Sequence, residues 1–249
     1  MKPLVAGNWK MHKTPVEAVQ FVHELRGIGL DLSAVDAVIC PPFVALSAVG
    51  DALIDSAIGL GAQTMHWADS GYYTGEISPL MLLACRARWV ILGHSERRAF
   101  AGETDATVNC KVKAALAHGI TPIVAVGDTE EEHVAGLARD RVVDQTRAAF
   151  AGIDAAHAQR CVVAYEPIWT IGTGTADDPA SANAIMRAIR TATPGLTGAR
   201  ILYGGSVKPD NIAAFVAQEH IDGALVGSAS LEAASFAALV RNARKGVTT

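Results

Sequence analysis

Three charged or titratable residues follow short apolar runs of this sequence, where β-strands would end. They are Lys10 after residues 4–7, His94 after residues 89–92 and Glu166 after residues 161–165. A buried lysine can stabilise negative charge that develops on an oxygen during a reaction. A histidine at a helix N-terminus is held neutral by backbone N–H groups and can donate to a substrate oxygen. A glutamate in a dry site has a raised pKa and acts as a general base. Together these residue types predict proton-transfer chemistry.

Each of the three residues, taken alone, also fits a structural role. Lys10 would be an ordinary solvated lysine, His94 a core histidine bonded to the main chain, and Glu166 a partner in an ion pair. Only their joint occurrence after strands favours the functional interpretation.

Glycine-containing segments follow three of the predicted strands. Residues 168–176, with two glycines and a tryptophan, are predicted to form a lid over the site, and a rigid connection is the alternative. Residues 203–209 and 226–230 are glycine turns that lead into helices. Such turns can bind phosphate through backbone N–H groups, although simple tight connections are the alternative.

Short β-rich runs alternate with amphipathic segments along the whole chain. The predicted strands are residues 4–7, 37–40, 58–62, 89–92, 122–126, 161–165, 201–203 and 224–226. The predicted helices include residues 16–25, 107–117, 131–150, 181–191 and 231–243. No linker divides the chain, so the pattern predicts an α/β fold, a closed (βα)8 barrel forming one domain over residues 1–249. An open doubly wound sheet is the alternative, but no G-x-G-x-x-G fingerprint follows the first strand.

The charge balance gives no general attraction for nucleic acid or an anionic membrane, since the formal net charge is −4. No apolar run approaches the roughly 18 residues of a membrane span, and no signal peptide is evident. We therefore expect a cytoplasmic protein without nucleic-acid or membrane partners. The scattered Cys40, Cys85, Cys110 and Cys161 are predicted to be buried thiols, with a disulfide or a zinc site as alternatives.

Seven segments, in order along the chain, match one known family. They are residues 7–10 (GNWK), 73–78 (YTGEIS), 93–98 (GHSERR), 164–169 (AYEPIW), 171–174 (IGTG), 203–208 (YGGSVK) and 223–227 (GALVG). In these segments the chain resembles the triosephosphate isomerase family. The resemblance implies a TIM barrel that interconverts dihydroxyacetone phosphate and D-glyceraldehyde 3-phosphate through an enediolate, in glycolysis and gluconeogenesis.

The resemblance also implies a role for each matching residue. Glu166 would be the base, His94 a neutral electrophile and Lys10 the cation beside the enediolate, with Glu96 as the partner of Lys10. The pairing of a glutamate base with a neutral histidine is a known property of that family and is carried over from it. The remaining implied substrate contacts are Asn8, Ile171, Gly172, Ser206, Leu225, Gly227 and Ser228. A homodimer formed through the loop around Thr74 is implied, and no cofactor or metal.

Five positions depart from the pattern of that family. Thr64 stands where the family has Asn, Ala125 where it has Cys, Asp128 where it has Glu, Thr175 where it has Lys and Ser228 where it has Gly. None removes a predicted catalytic side chain, so we expect effects on the lid, the dimer contact and phosphate affinity. The rival interpretations are another phosphate-binding barrel enzyme and a non-catalytic phosphosugar-binding protein. Glu166 and the predicted lid disfavour the first, and the presence of Lys10, His94 and Glu166 disfavours the second.

Overall fold

Eight parallel strands form a closed ring in the computed structural model, which describes residues 1–245. The strands are β1 (Leu4–Asn8), β2 (Asp36–Cys40), β3 (Gly59–Ala62), β4 (Trp89–Leu92), β5 (Thr121–Asp128), β6 (Val162–Pro167), β7 (Arg200–Tyr203) and β8 (Gly223–Val226). Each pairs with its neighbours in chain order, and β1 pairs with β8 to close the ring. The predicted closed (βα)8 barrel is confirmed. The single domain over residues 1–249 stays a prediction, because residues 246–249 lie outside the described part.

Helices connect the strands and cover the outside of the ring, as parallel strands require. The α-helices of the described residues are α1 (Pro15–Gly27), α2 (Phe43–Ala52), α3 (Pro79–Ala84), α4 (Ser95–Ala101), α5 (Asp105–Ala117), α6 (Glu130–Val134), α7 (Ala138–Ala149), α8 (Ala155–Ala158), α9 (Pro179–Ala192), α10 (Ile212–Val216) and α11 (Ala233–Asn242). Three short 3-10 segments are Ile168–Thr170, Leu196–Gly198 and Ser228–Ser230.

The predicted helix over residues 131–150 is wrong, because the structure has two helices there. The first, α6, ends at Val134, and Gly136 has a φ of 72°, a left-handed conformation that breaks the helix. A new helix, α7, begins at Ala138.

The apolar core has two layers, one on each face of the sheet. Inside the ring lie Leu4, Ala6, Val38, Cys40, Ile91, Ile123, Val162, Ala164, Leu202 and Leu225. The opposite strand faces pack against the helices in a larger cluster that includes Trp9, Tyr165, Tyr203 and Phe236. Burial of both faces explains why the strand runs of the sequence are apolar throughout.

The prediction that all four cysteines are buried is only half correct. Cys40 and Cys161 are buried, Cys85 is half-buried and Cys110 is exposed, and all four are free thiols. Cys110 lies on α5, whose buried face is formed by other residues, so an apolar neighbourhood in sequence did not imply burial. Within residues 1–245 no helix is long and apolar enough to cross a membrane, and no group of three or more His, Cys, Asp or Glu is placed to hold a metal ion.

Candidate active site

The predicted site residues come together at the carboxyl-terminal ends of the strands. A cavity of about 350 Å³ opens there, where active sites of such barrels lie. Its lining includes Asn8, Lys10, His94, Glu166, Ile171, Gly172, Ser206, Leu225, Gly227 and Ser228. Glu96 is the one predicted site residue that does not line the cavity, and it contacts Lys10 from behind.

Lys10 is held at the end of β1 in a strained backbone conformation, with a φ of 52°. Its N–H donates to Asn8 Oδ1 at 3.0 Å, and its carbonyl accepts from Gln63 Nε2 at 2.8 Å. The Lys10 ammonium lies 2.6 Å from Glu96 Oε1. Contacts at the N–H, the carbonyl and the ammonium therefore fix this positive charge at the rim of the cavity.

Glu166 ends the apolar part of β6 and is 2 % exposed. Its Oε1 lies 2.9 Å from His94 Nε2, and its Oε2 accepts from the backbone N–H of Ser95 at 2.8 Å. Gly127 of β5 lies against it so closely that a Cβ there would collide with the Glu166 carbonyl. The close strand contact thus holds the backbone, while the Ser95 N–H binds the carboxylate and His94 lies beside it.

His94 precedes α4 and accepts a hydrogen bond from the backbone N–H of Glu96 at Nδ1, over 3.2 Å. Because that nitrogen accepts, the proton of the neutral ring is on Nε2, which faces Glu166. This is the arrangement that the helix N-terminus was predicted to impose.

The charges of His94 and Glu166 shift each other's pKa in opposite directions. Burial raises the pKa of Glu166, but the contributions of His94 and the Ser95 N–H lower it by more in total, so the net shift is downward. Burial lowers the pKa of His94, but the nearby carboxylates of Glu166 and Glu96 raise it, and the net shift is upward. The expectation that burial leaves Glu166 with a raised pKa is therefore wrong for this arrangement, because its partners outweigh desolvation.

The segment predicted as a lid begins with the 3-10 turn Ile168–Thr170 and continues over residues 171–176. Thr170 is buried, whereas residues 172–175 are exposed to solvent. Gly172 and Gly174 have φ values of 76° and 78°, which glycine adopts without strain. Both ends of the segment are packed against the protein, and its tip is exposed to solvent.

Four residues that line the cavity were predicted to bind phosphate through their backbone N–H groups. They are Gly172, Ser206, Gly227 and Ser228. Within the described residues none of these N–H groups donates to a backbone carbonyl outside regular helices and strands. These N–H groups are therefore available to an anion, and the cationic Lys10 lines the same cavity.

Three contributors to the site were missed in the sequence. Ser95 acts through its backbone N–H and Gln63 through a contact with the Lys10 carbonyl, so neither has a side-chain signature in sequence. Lys208 lines the cavity and donates to the carbonyl of Gly174 in the lid at 3.3 Å. The sequence placed Lys208 in a glycine turn, but not against the lid.

A buried carboxylate, a histidine and a cation that line one cavity of a barrel are typical of an enzyme that moves protons on a small anionic substrate. A family model described as triosephosphate isomerase matches residues 3–243. A triosephosphate isomerase of Carboxydothermus hydrogenoformans is 50% identical over 246 residues, covering 96% of this chain and 98% of the relative. One of Chloroflexus aurantiacus is 51% identical over 245 residues, with the same two coverages.

The chain belongs to the triosephosphate isomerase family. It is an intramolecular aldose–ketose isomerase that interconverts dihydroxyacetone phosphate and D-glyceraldehyde 3-phosphate, a reaction of glycolysis and gluconeogenesis.

Proposed function

We propose that Glu166 is the base that moves a proton between the two carbons of the triose phosphate through an enediolate. The observation that supports this most directly is its buried carboxylate, which faces the cavity beside His94 Nε2 at 2.9 Å. To reach a substrate carbon, Glu166 leaves His94 and Ser95. Leaving them removes the groups that lower its pKa, while burial, which raises it, remains. Its basicity therefore rises as it approaches the substrate.

His94 is the electrophile that passes protons between the two substrate oxygens. The Glu96 N–H at Nδ1 keeps the proton on Nε2, the nitrogen that faces the cavity. Once Glu166 turns to the substrate, the carboxylate that raises the pKa of His94 is gone, and burial favours the neutral ring. When Glu166 moves away from His94, Glu166 therefore becomes a stronger base and the neutral form of His94 is favoured.

Lys10 stabilises the negative charge that develops on the enediolate oxygen. The backbone contacts of Asn8 and Gln63 and the pairing with Glu96 hold its ammonium in place before the substrate arrives. Such preorganised charge typically contributes about 3 kcal/mol or more to transition-state stabilisation.

The substrate phosphate is bound by the N–H groups of Gly172, Ser206, Gly227 and Ser228. Binding at Gly172 links the anion to the lid, so a bound phosphate favours closure. Ile171 of the lid and Leu225 of β8 then cover Glu166 and exclude water from the enediolate. Both side chains line the cavity already.

Two further features of the protein belong to this proposal. The chain forms a homodimer through the loop around Thr74, which brings that residue to the partner's site. Large apolar side chains exposed on the single chain support this: Met11, Val44, Tyr72, Tyr73 and Phe100. Sedimentation at micromolar protein concentration measures the oligomeric state, and a monomer would contradict the proposed dimer.

The enzyme acts in the cytoplasm, where its pathway operates.

Replacement of Glu166 by Asp tests the base. The change keeps the charge and withdraws the carboxylate by one methylene, about 1 Å, so kcat falls by about a hundredfold or more. The matched control is Glu219→Asp, because Glu219 has an exposed side chain outside the cavity. Steady-state kinetics in both directions measure the effect. A Glu166→Asp enzyme with near-normal kcat would remove Glu166 from the mechanism, and unchanged inhibition by a phosphate analogue would show that the anion site stays intact.

A further inference from the structure

Arg98 of α4 is a mostly buried cation that is not among the residues lining the active-site cavity. Its side chain is 17 % exposed. Its Nε donates to the Gly93 carbonyl at 2.7 Å, and its Nη1 donates to Asp105 Oδ1 at 2.6 Å. Its Nη2 lies 3.4 Å from the carbonyl oxygen of Ala125 in β5. The donors of a guanidinium lie in a rigid plane, so these three contacts fix Arg98 relative to the end of β4, to β5 and to α5.

Gly93 lies between β4 and His94, and charged side chains bond both of its backbone polar groups. Its N–H donates to Glu103 Oε2 at 3.0 Å, and its carbonyl accepts from Arg98. The N–H belongs to the peptide unit before the Gly93 Cα, and the carbonyl belongs to the unit that joins Gly93 to His94. Because a peptide unit is planar, fixing both units fixes the two backbone dihedrals of Gly93.

The backbone conformation of Gly93 is one that other residues rarely adopt. Its φ is 74°, in the left-handed region that favours glycine. A Cβ at this position would lie 3.0 Å from Arg98 Nη2, 3.0 Å from Val108 Cγ2 and 3.1 Å from the Ala125 carbonyl oxygen. The chain therefore turns tightly against the guanidinium as it passes from β4 to α4.

Arg98 also bonds the peptide unit that follows His94. Its backbone N–H donates to the His94 carbonyl at 3.0 Å. The two peptide units that flank the His94 Cα therefore both have carbonyls that accept from Arg98. These units determine the direction of the Cα–Cβ bond, from which the imidazole comes within 2.9 Å of Glu166 Oε1 and 3.2 Å of the Glu96 backbone nitrogen.

We propose that Arg98 is a positioning residue for His94, which it orients by holding the Gly93–His94 peptide unit so that Nε2 faces the cavity. Arg98 acts through His94 rather than on the substrate. Displacement of a reacting group by about 1 Å can lower a rate by about a hundredfold, so a small rotation of this peptide unit is enough for a measurable loss of kcat. This inference rests on the proposed role of His94 as the electrophile.

Replacement of Arg98 by Lys keeps the positive charge but substitutes a single nitrogen for the planar fork. We expect kcat to fall by about tenfold or more and KM to change by less than about threefold, because the proposed phosphate contacts lie on other loops. The inhibition constant of inorganic phosphate should stay within about threefold for the same reason. Steady-state kinetics measure all three quantities.

The matched control is Arg190→Lys. Arg190 of α9 also bonds one aspartate, Asp222, and two backbone carbonyls, those of Ala199 and His220, but it is not among the residues lining the cavity. We expect this variant to lower Tm and to leave kcat unchanged. An equal loss of kcat in both variants, at a temperature where circular dichroism shows both to be folded, contradicts the inference.

A double-mutant cycle with His94→Gln separates positioning of His94 from a general structural role. In the His94→Gln background, Arg98→Lys should change kcat by less than about twofold, because the side chain that it orients is absent. The same fold-loss in both backgrounds overturns the inference and leaves the proposed role of His94 standing. A near-normal kcat in His94→Gln alone overturns that proposed role and the inference with it.

Asp105→Asn is a milder variant for the case in which Arg98→Lys does not fold. It removes the charge that holds Nη1, whereas the Gly93 and Ala125 carbonyls remain in place for Arg98. Because the Asp105 side chain is partly exposed, kcat should fall by about two- to fivefold, and by less in the His94→Gln background. A lower Tm with unchanged kcat would assign Arg98 and Asp105 a structural role only and contradict the inference.

Discussion

Lys111 of α5 and Glu103 form a buried ion pair next to the backbone that immediately precedes His94. Lys111 Nζ lies 2.6 Å from Glu103 Oε1 and 3.1 Å from Thr64 Oγ1. Glu103 Oε2 accepts from the Gly93 N–H at 3.0 Å, immediately before His94. The perturbation is Lys111→Met, which keeps the length of the side chain and removes the charge.

The expected loss follows from the groups that remain around Glu103. Removing one partner of a buried pair costs about 3–5 kcal/mol, because the other charge is left in a poorly solvated site. Glu103 keeps Arg97 at 3.0 Å, the Thr64 hydroxyl at 3.0 Å and the Gly93 N–H. We therefore expect the lower end, about 3 kcal/mol, or about 6–12 °C in Tm for a chain of this size.

Urea denaturation followed by circular dichroism measures this loss, at one fixed protein concentration because the proposed dimer would make stability depend on concentration. The matched control is Lys2→Met, which also removes a lysine from an aspartate, Asp36, at 2.7 Å. Both side chains of that pair are partly exposed and Asp36 keeps Arg200, so the control loses about 1 kcal/mol or less.

The pH dependence of the stability loss distinguishes a broken ion pair from a packing defect, because a packing defect would not depend on the protonation of Glu103. Burial raises the pKa of Glu103, but Lys111, Arg97 and Thr64 lower it below its usual value of 4.5. Its contribution to stability is thus present above about pH 4.5 and is lost as the pH falls through the lower folded value. The difference between the original protein and Lys111→Met should shrink in that acidic window. A loss below about 1 kcal/mol, or one that stays constant down to pH 3.5, would refute this reasoning.

Three further variants test the site itself. Lys10→Met should lower kcat/KM by about a hundredfold or more, since it removes the preorganised charge, and unchanged kcat/KM at low ionic strength would exclude that role. Ser228→Gly should change KM by less than about tenfold with kcat preserved, because Ser228 is not among the residues with positive φ and its side chain therefore does not strain the turn. Much tighter binding of a phosphate analogue would show that the serine crowds the turn. Gly205→Ala should cost about 1–3 kcal/mol in thermal stability and lower kcat, because its Cβ would collide with the Tyr203 hydroxyl and lie 2.6 Å from Thr170 Oγ1 at the lid. An unchanged Tm and kcat would contradict that clash.

Most of the fold was accessible from the sequence because its local signals agree with one another. The eight apolar runs all lie within two residues of the observed strand ends, and β5 and β6 each continue two residues beyond the predicted run. The helix predicted over residues 16–25 is α1, which Thr14 caps through a capping box to Glu17. In a closed parallel barrel, residues that follow strands converge at one end. The sequence positions of Lys10, His94 and Glu166 therefore determined where the site would form.

The contacts between those residues depended on tertiary structure. Whether burial or a partner controls the pKa of Glu166 depends on the 2.9 Å contact with His94 and the Ser95 N–H, which join residues far apart in the chain. The break of a long amphipathic segment at Gly136 follows from its left-handed conformation, which glycine permits but does not require.

The polar groups around the lid show the same division. The sequence identified Asp128 as unusual and Trp169 as part of a lid, but it did not place His133 against either. Periodicity reports which face of a helix is apolar, whereas the stacking of one ring on another depends on how α6 and β6 are placed around the barrel. The sequence therefore determined which residues are available for the chemistry, and tertiary packing determined which of them contact one another and shift one another's pKa.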